Sequence, residues 1–216
     1  MTVLAIDTSG ETASLALLES GGRLSESAIH APNGHSTWLL GEIQGLLRRA
    51  GARIDDIDCF AAAAGPGSFT GVRVALSAAK GFAMALDRPM AAVSNLQALA
   101  WFGERELRAP LIDARRGHVY AAVYDARLEL ATPEVVTAPG VWFDSLRGEV
   151  EIVTAQPGLL EGRELSFAVR VVAPEALARA VAHIAMTMAA ARVDPAHTDA
   201  NYVRRADAEM NWVDRV

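Results

Sequence analysis

The sequence LAIDTSGETASLAL at residues 4–17 has a counterpart, LIDARRGHVYAAVY, at residues 111–124. Each stretch runs from a short apolar strand through an aspartate and a turn containing glycine into a second, alternating strand. This is the pattern of a β-hairpin. The two aspartates, Asp7 and Asp113, lie 106 positions apart. Because one unit occurs twice, the sequence predicts an α/β fold made of two related lobes.

The segments around these hairpins alternate between helix and strand patterns. Apolar residues at helical spacing predict one helix over residues 36–50 and another over residues 70–86. The other predicted elements are strands at 23–30, 58–64, 90–93, 151–154 and 167–172 and helices at 96–102 and 174–192. We place the lobes at residues 1–103 and 104–216, with the C-terminal tail able to pack on the first lobe.

The composition is that of a globular protein with an acidic balance. The 216 residues carry a net charge of −6, whereas a protein that binds nucleic acid alone usually presents a basic face. The N-terminus has no basic leader, and no stretch reaches the ~18 continuous apolar residues of a membrane span. The single cysteine, Cys59, excludes an internal disulfide framework. We therefore expect a cytoplasmic protein that binds nucleic acid weakly on its own.

The glycine-rich stretch Gly65-Pro-Gly-Ser-Phe-Thr-Gly71 lies between a predicted strand and a predicted helix. Gly65, Gly67, Ser68 and Gly71 could turn backbone N–H groups toward a phosphate at the helix start. The spacing differs from the dinucleotide fingerprint G-x-G-x-x-G, and no lysine follows Gly71, as a P-loop requires. The sequence leaves both a phosphate site and a purely structural turn open.

Asp7, Thr8 and Ser9 at the tip of the first hairpin form a second candidate site. A carboxylate beside two hydroxyls can hold Mg²⁺ through water, near backbone N–H groups that face a phosphate. The alternative is an ordinary turn in which these side chains bond to their own backbone. In the second hairpin, Asp113 is the one candidate carboxylate.

The histidines do not indicate a metal site. His30 and His35 are five positions apart, with Pro32 and Gly34 between them, whereas a helical pair of metal ligands needs a spacing of four. No arrangement of a nucleophile, a histidine and an acid stands out elsewhere. The sequence therefore predicts no catalytic residues and no metal site.

Small residues on the two N-terminal helices suggest that another backbone approaches them closely. Glycine inside a helix costs ~1 kcal/mol relative to alanine, and yet small residues recur four positions apart in both helices, as Gly41 and Gly45 and as Ser77 and Gly81. The second helix is also apolar nearly all round, which leaves one face for something other than its own sheet. The predicted partner-binding residues are Leu39, Gly41, Ile43, Gly45, Leu46, Val74, Ala78, Gly81 and Ala85.

These stretches together resemble the TsaB (YeaZ) family, the smaller relatives of the TsaD (Gcp/Kae-type) proteins. The resemblance is carried by LAIDTS at residues 4–9, GPGSFTGVR at residues 65–73 and LIDARRG at residues 111–117 with Tyr120. It is specific over residues 1–124, and beyond them it rests on YVR at residues 202–204. It implies an actin-like ATPase (ASKHA) fold of two ribonuclease-H-like lobes.

The resemblance also implies a function in making threonylcarbamoyladenosine in tRNA. In that pathway the TsaD-type relative carries the metal, the nucleotide and the chemistry. It holds its metal with two histidines four apart on a helix, and this sequence has only His35 near the matching helix. The implied role is a non-catalytic subunit that binds and stabilises the TsaD-type protein.

The resemblance further implies the partners and cofactors. The TsaD-type protein binds the two N-terminal helices, and a homodimer forms through the same helices. A TsaE-type ATPase is a further implied partner, and tRNA is reached only through the complex. No cofactor is held tightly, and any ATP or ADP with Mg²⁺ binds weakly at the subunit interface.

Two other functions remain open at this point. An independent actin-like ATPase or small-molecule phosphotransferase would use Asp7, Thr8 and the glycine-rich loop, although residues 125–172 look too short for a full second lobe. A peptidase, which the old family label of glycoprotease suggests, finds no support in these residues. Hydrolysis of ATP by the purified chain would favour the first of these over a partner subunit.

Overall fold

The computed structural model describes residues 1–30, 35–162, 168–188, 192–201 and 203, with the backbone alone at 35, 36, 168–170 and 192. Its strands are β1 Thr2–Asp7, β2 Thr12–Glu19, β3 Leu24–His30, β4 Cys59–Ala63, β5 Met90–Val93, β6 Leu107–Arg115, β7 His118–Asp125, β8 Leu130–Thr137, β9 Val150–Thr154, β10 Ala168–Val172 and β11 Arg192–Val193. Its α-helices are α1 His35–Ala50, α2 Phe69–Ala85, α3 Asn95–Ala100, α4 Pro139–Ser145 and α5 Ala178–Thr187. Tyr202 and Arg204, which contribute to the family resemblance, lie outside the described residues.

The first sheet has the strand order β11-β5-β4-β1-β2-β3. β1, β2 and β3 pair antiparallel, whereas β4 pairs with β1, and β5 with β4, in parallel. All five residues of β4 are buried, as expected of a parallel strand with both faces covered. β11 pairs antiparallel with β5 and forms the outer edge of this sheet.

The second sheet has the order β10-β9-β6-β7-β8. In both sheets the five strands of one repeat lie in the same order: third, second, first, fourth and fifth along the repeat. The first three strands of each repeat pair antiparallel, and the fourth and fifth pair in parallel. This is the arrangement of a ribonuclease-H-like lobe, present twice. The resemblance between the two hairpins predicted this duplication, and the strand order confirms it.

The two repeats exchange their last helices. α3, which ends the first repeat, packs on β6 and β7, and α5, which ends the second repeat, packs on β1, β2 and β4. Trp101, which follows α3, stacks on His183 of α5 with the ring centroids 4.9 Å apart. One core cluster therefore continues from the first sheet through both helices to Tyr124 and Val153 of the second sheet.

α1 and α2 cover the opposite face of the first sheet, and local sequence sets where they begin and end. The Ser68 hydroxyl caps α2 by accepting a hydrogen bond from the N–H of Gly71 at 3.3 Å. Gly51 ends α1 with φ 69°, in the left-handed region that glycine adopts without strain. Both helices pack apolar side chains into a second core cluster against β1, β2 and β4.

The structure differs from the predicted elements mainly in the second repeat. β8 and α4 are not among the predictions, because β8 is an exposed edge strand and α4 has only seven residues. α5 begins at Ala178 rather than near Pro174, since the chain before it bonds to the first lobe. It ends at Thr187, before the predicted end at 192. Within the described residues, no helix is long and apolar enough to cross a membrane.

Candidate functional site

A cleft of about 790 Å³ opens between the two lobes. One wall is the turn of the first hairpin together with the glycine-rich loop. The other wall is the end of β6, with Tyr120 of β7 and Gln156 after β9, and Glu175 and Leu177 before α5 also line it. The volume lies within the range of small-molecule sites. The cleft is therefore the first candidate site.

Asp7 is at the end of β1 and is only 1% exposed. Its Oδ1 accepts hydrogen bonds from the backbone N–H and the hydroxyl of Ser9, at 2.9 and 2.5 Å. Its Oδ2 accepts one from the N–H of Leu177 at 3.2 Å, across 170 positions of sequence. Both carboxylate oxygens therefore have donors within the chain, and they fasten the start of α5 to the first lobe.

The hydroxyls beside Asp7 also bond within the chain. The Ser9 hydroxyl accepts a hydrogen bond from the side-chain amide of Asn95 at 2.7 Å. The Thr8 hydroxyl donates to the carbonyl oxygen of Gly71 at 2.6 Å. The structure thus brings Asp7, Thr8 and Ser9 together with the glycine-rich loop, through hydrogen bonds that connect hairpin, loop and α3.

Two glycines of the loop are required by close packing against the hairpin, and the third by its backbone conformation. A Cβ at Gly71 would overlap the carbonyl oxygen of Thr8, and a Cβ at Gly67 would lie 2.8 Å from the carbonyl oxygen of Ser9. Gly65 has φ 97°, where other residues are strained. Packing explains Gly67 and Gly71, and the positive φ explains Gly65, without a bound phosphate.

Three backbone N–H groups at the start of α2 have acceptors within the chain. The N–H of Ser68 donates to the carbonyl oxygen of Ser9, and the N–H of Val72 donates to that of Ser68, both at 2.8 Å. The N–H of Gly71 is taken by the Ser68 hydroxyl. These contacts favour the structural turn over the phosphate site that the sequence left open.

The charges of the cleft do not favour an anionic ligand either. Among the described lining residues, Glu11, Asp113 and Glu175 are acidic and Arg115 is basic. A nucleotide would bring several negative charges to this acidic lining. The Asp7 carboxylate already accepts hydrogen bonds within the chain, and the acidic lining is unfavourable for the phosphates of a nucleotide. Elsewhere in the described ranges there is no group of three His, Cys, Asp or Glu side chains arranged to hold a metal.

A polar cluster around Glu134 of β8 was not predicted from the sequence. The Glu134 carboxylate accepts hydrogen bonds from the Tyr124 hydroxyl at 2.6 Å, from the Ser94 hydroxyl, and from the Asn201 amide at 2.6 Å. Burial, and then the charge of Glu134, raise the pKa of Tyr124 far above its usual value, so the hydroxyl stays a donor. The N–H of Asn201 also donates to Ala64, just before the glycine-rich loop. No sequence spacing signals this cluster, because its members come from four separate elements.

The outward side of α1 and α2 is the second candidate site, which we call the helical face. It consists of the exposed residues Thr37, Leu40, Gly41, Gln44, Arg48, Arg49, Phe69, Thr70, Arg73, Ser77, Gly81, Met84 and Ala85. Leu40, Phe69 and Met84 are large apolar side chains with 58, 50 and 61% of their surface exposed. At Gly41 and Gly81 an added Cβ would meet no atom within 4 Å. Such a surface is typical of a protein-binding site, because exposed apolar side chains are unfavourable in water unless a partner covers them.

The structure corrects part of the predicted partner surface. Leu39, Ile43 and Leu46 are at most 3% exposed and lie in the core between α1 and the first sheet. Gly45 is also buried, with the guanidinium of Arg49 beside it. The prediction is wrong for these residues because the sheet needs the leucine-rich side of α1 for its own core. Of the others, Gly41, Gly81 and Ala85 are exposed, and Val74 and Ala78 are half-buried.

Comparison with known proteins identifies the family. Residues 29–164 match the family model described as "TsaD: tRNA N6-adenosine threonylcarbamoyltransferase". The structure of YeaZ from Pseudomonas aeruginosa is 30% identical, with a TM-score of 0.78, and the match covers 93% of this chain and 99% of that one. The chain belongs to the TsaB (YeaZ) family. This match also confirms the predicted fold class.

The TsaB relatives in other bacteria agree with this assignment. "tRNA threonylcarbamoyladenosine biosynthesis protein TsaB" of Bacillus subtilis is 36% identical over 152 residues, or 68% of this chain. The protein of the same description in Escherichia coli is 38% identical over 128 residues, or 57% of this chain. The matched stretches span 66 and 55% of these two relatives. The chain therefore spans about two thirds or less of the length of these curated relatives within the matched stretches.

Proposed function

We propose that this chain is a non-catalytic subunit in the biosynthesis of threonylcarbamoyladenosine in tRNA, which binds and stabilises a catalytic TsaD-type protein. The observation that carries the proposal is the helical face, where large apolar side chains and open glycines are exposed together. The TsaD family model matches residues 29–164, which include both helices of this face. A TsaD-type protein can therefore present a similar pair of helices to it.

The hydrogen bonds of Asp7 support a partner role over an independent ATPase or phosphotransferase. An enzyme of that kind needs a carboxylate and loop N–H groups that are available to Mg²⁺ and phosphate. Here both Asp7 oxygens accept hydrogen bonds from donors within the chain. Acceptors within the chain also bind the N–H groups of Ser68, Gly71 and Val72. We propose that any ATP or ADP binds weakly, at the subunit interface.

The proposal extends to the other partners. A homodimer would use the same helical face, since a two-fold contact buries one patch against itself. A TsaE-type ATPase would join the complex, and tRNA would be bound through the complex, because the net charge of −6 gives the lone chain little attraction for phosphates. A cytoplasmic location fits these partners.

The test is a charge placed at Gly81. Its Cβ position is open in the isolated chain, so Gly81→Glu should leave folding intact and bury a carboxylate only in the complex. We expect this variant to lose association with the TsaD-type protein of the same organism by roughly 100-fold or more, as for an unpaired buried charge. Gly81→Ala is the matched control and should bind within about three-fold of the original. Folded Gly81→Glu protein that binds normally would exclude this interface.

A second measurement separates the subunit from the enzyme. The purified chain with ATP and Mg²⁺ should show no turnover near the ordinary enzyme range of about 1 per second or more. Turnover in that range that disappears in Asp7→Ala would support the ATPase or phosphotransferase instead.

A further inference from the structure

The carboxylate of Glu134 joins three parts of the molecule that are distant in sequence. Its Oε1 accepts hydrogen bonds from the hydroxyl of Tyr124 on β7, at 2.6 Å, and from the hydroxyl of Ser94, which caps α3. Its Oε2 accepts a hydrogen bond from the side-chain amide of Asn201 at 2.6 Å. One acceptor therefore connects the second sheet, the start of α3 and the segment that follows β11.

Asn201 ends a segment that crosses the first lobe and that we call the strap, residues 193–201. The strap begins in β11, which pairs antiparallel with β5 at the edge of the first sheet. It passes α2, where Lys80 donates to the carbonyl oxygen of Ala196 at 3.3 Å. It ends where the N–H of Asn201 donates to the carbonyl oxygen of Ala64 at 2.8 Å. The strap is therefore fastened to the first lobe mainly by hydrogen bonds.

The strap contributes little to the core. None of residues 193–201 is buried, and Ala200 packs only partly on the second core cluster. All five residues of β4, in contrast, are buried. Segments with few buried apolar contacts open at a lower free energy than the core around them. The contact between Asn201 and Glu134 can therefore decide whether the strap stays in place.

The end of the strap fits against the start of the glycine-rich loop. A Cβ at Gly65 would lie 3.2 Å from the carbonyl oxygen of Asn201, which is closer than side chains usually approach. The N–H of Asn95 donates to the carbonyl oxygen of Gly65 at 2.8 Å, and Asn95 directly follows Ser94. The contacts of Glu134 therefore reach this loop by two routes, through Asn201 and through Ser94.

We propose that Glu134 keeps the strap closed on the glycine-rich loop, and that the strap opens as a unit, with both lobes still folded, when the contact between Glu134 and Asn201 breaks. The two hydroxyls hold the carboxylate so that its Oε2 faces the Asn201 amide. Opening would release the carbonyl oxygen of Ala64 and the outer edge of β5 together. The glycine-rich wall of the cleft would then lose one of the contacts that fix its position.

The first test is whether the strap opens independently of the core, measured by amide hydrogen exchange of the full chain with NMR. The N–H of Asn201 should exchange roughly 100-fold or more faster than the buried N–H groups of β4, because opening the strap breaks few contacts. Up to about 1 M urea its exchange should hardly change, whereas exchange in β4 should accelerate, since urea acts in proportion to the surface exposed. Equal rates with equal urea dependence would overturn the proposal.

The second test removes the charged acceptor. Glu134→Gln keeps the shape of the side chain but replaces one oxygen with an NH₂ group, so exchange of the Asn201 N–H should accelerate by about ten-fold or more. Glu129→Gln is the matched control, because Glu129 is exposed in the turn before β8. It should change this rate by less than about two-fold. Equal rates in the two variants would show that Glu134 does not hold the strap.

A third variant separates the strap contact from the hydroxyl contacts. Asn201→Ala removes the amide and should by itself accelerate exchange at position 201 by about ten-fold, after correction for the intrinsic rate of the new residue. This variant decides the question where Glu134→Gln does not fold, and an unchanged rate would contradict the proposal.

The two substitutions are then combined. In the Asn201→Ala chain, adding Glu134→Gln should accelerate exchange at position 201 by less than about three-fold, because two residues that act through one contact are not additive. A further ten-fold acceleration would mean that Glu134 acts through Tyr124 and Ser94 and not through the strap, and it would overturn the proposal.

Discussion

The two hairpin aspartates make the same turn in different surroundings. The Oδ1 of Asp7 accepts a hydrogen bond from the N–H two positions later at 2.9 Å, and the Oδ1 of Asp113 does the same with Arg115 at 2.8 Å. Asp7 is buried and also accepts hydrogen bonds from a hydroxyl and from the start of α5, whereas Asp113 is half-buried and lines the cleft. The same local turn therefore holds the lobes together in one repeat and forms a wall of the cleft in the other.

The segments after the fourth strand of each repeat differ even more. In the first repeat, β4 leads through the glycine-rich loop into the 17 residues of α2. In the second, β9 leads into a 3₁₀ turn of four residues, 157–160. Among the described residues, α1 and α2, and with them the helical face, therefore belong to the first lobe. The comparison teaches that the surface we propose for partner binding lies on one lobe of a duplicated fold, whereas the other lobe provides the second wall of the cleft.

The largest expected change in stability is at Gly71, in the loop that only the first repeat has. A Cβ there would overlap the carbonyl oxygen of Thr8, so Gly71→Ala should lower the free energy of unfolding by about 3 kcal/mol or more, through overpacking against backbone. Gly81→Ala, in the same helix but with open space, should be stabilising by up to ~1 kcal/mol. Urea unfolding of both variants measures the difference. Equal stabilities would mean that the loop does not pack as described.

The next effect concerns the two aspartates themselves. Asp7→Asn replaces one carboxylate oxygen with an NH₂ group. This group would lie next to another donor, either the N–H of Leu177 or the donors of Ser9, so the variant should lose about 2–3 kcal/mol of stability. Asp113→Asn keeps one acceptor for Arg115 at a half-exposed position and should cost less than about 0.5 kcal/mol. Urea unfolding measures both. An Asp7→Asn protein of normal stability would reopen a ligand-binding role for this carboxylate.

Sequence reasoning predicted the parts of the molecule that depend on local pattern. The hairpin turns at Asp7 and Asp113, the amphipathic helices and the duplication all follow from spacing along the chain. It could not predict which side of α1 faces the sheet, because Leu39 and Leu40 are equally apolar and only packing separates them. It also could not predict the bond from Leu177 to Asp7, whose partners are 170 positions apart.

A smaller effect is expected on binding of the TsaD-type protein, when one exposed leucine is compared in each repeat. Leu40 on α1 and Leu130 on β8 are almost equally exposed, at 58 and 55%. If the helical face is the interface, Leu40→Ala should weaken binding of the TsaD-type protein by about ten-fold, and Leu130→Ala by less than about two-fold. Calorimetric titration of both variants checks this. Equal effects would mean that the exposed apolar residues of the first lobe have no special role.

The smallest effect is a pH dependence where the exchanged helices meet. Burial lowers the pKa of His183 below its usual value of about 6.5, and the nearby Arg179 lowers it further, against an opposing effect of Glu26. The unfolded chain therefore binds more protons than the folded chain in mild acid. The free energy of unfolding should fall as the pH drops through about 6.5 and level off below the folded-state pKa.

His183→Phe isolates this contribution, because it keeps a ring to stack on Trp101 and removes the proton. Between pH 7.5 and 5.5 the free energy of unfolding of the original chain should fall more than that of this variant. The difference should be less than about 0.5 kcal/mol, because solvent screens a partly exposed ring. Urea unfolding of both proteins at each pH measures this difference. A pH dependence unchanged in His183→Phe would show that the stack between α3 and α5 is insensitive to protonation.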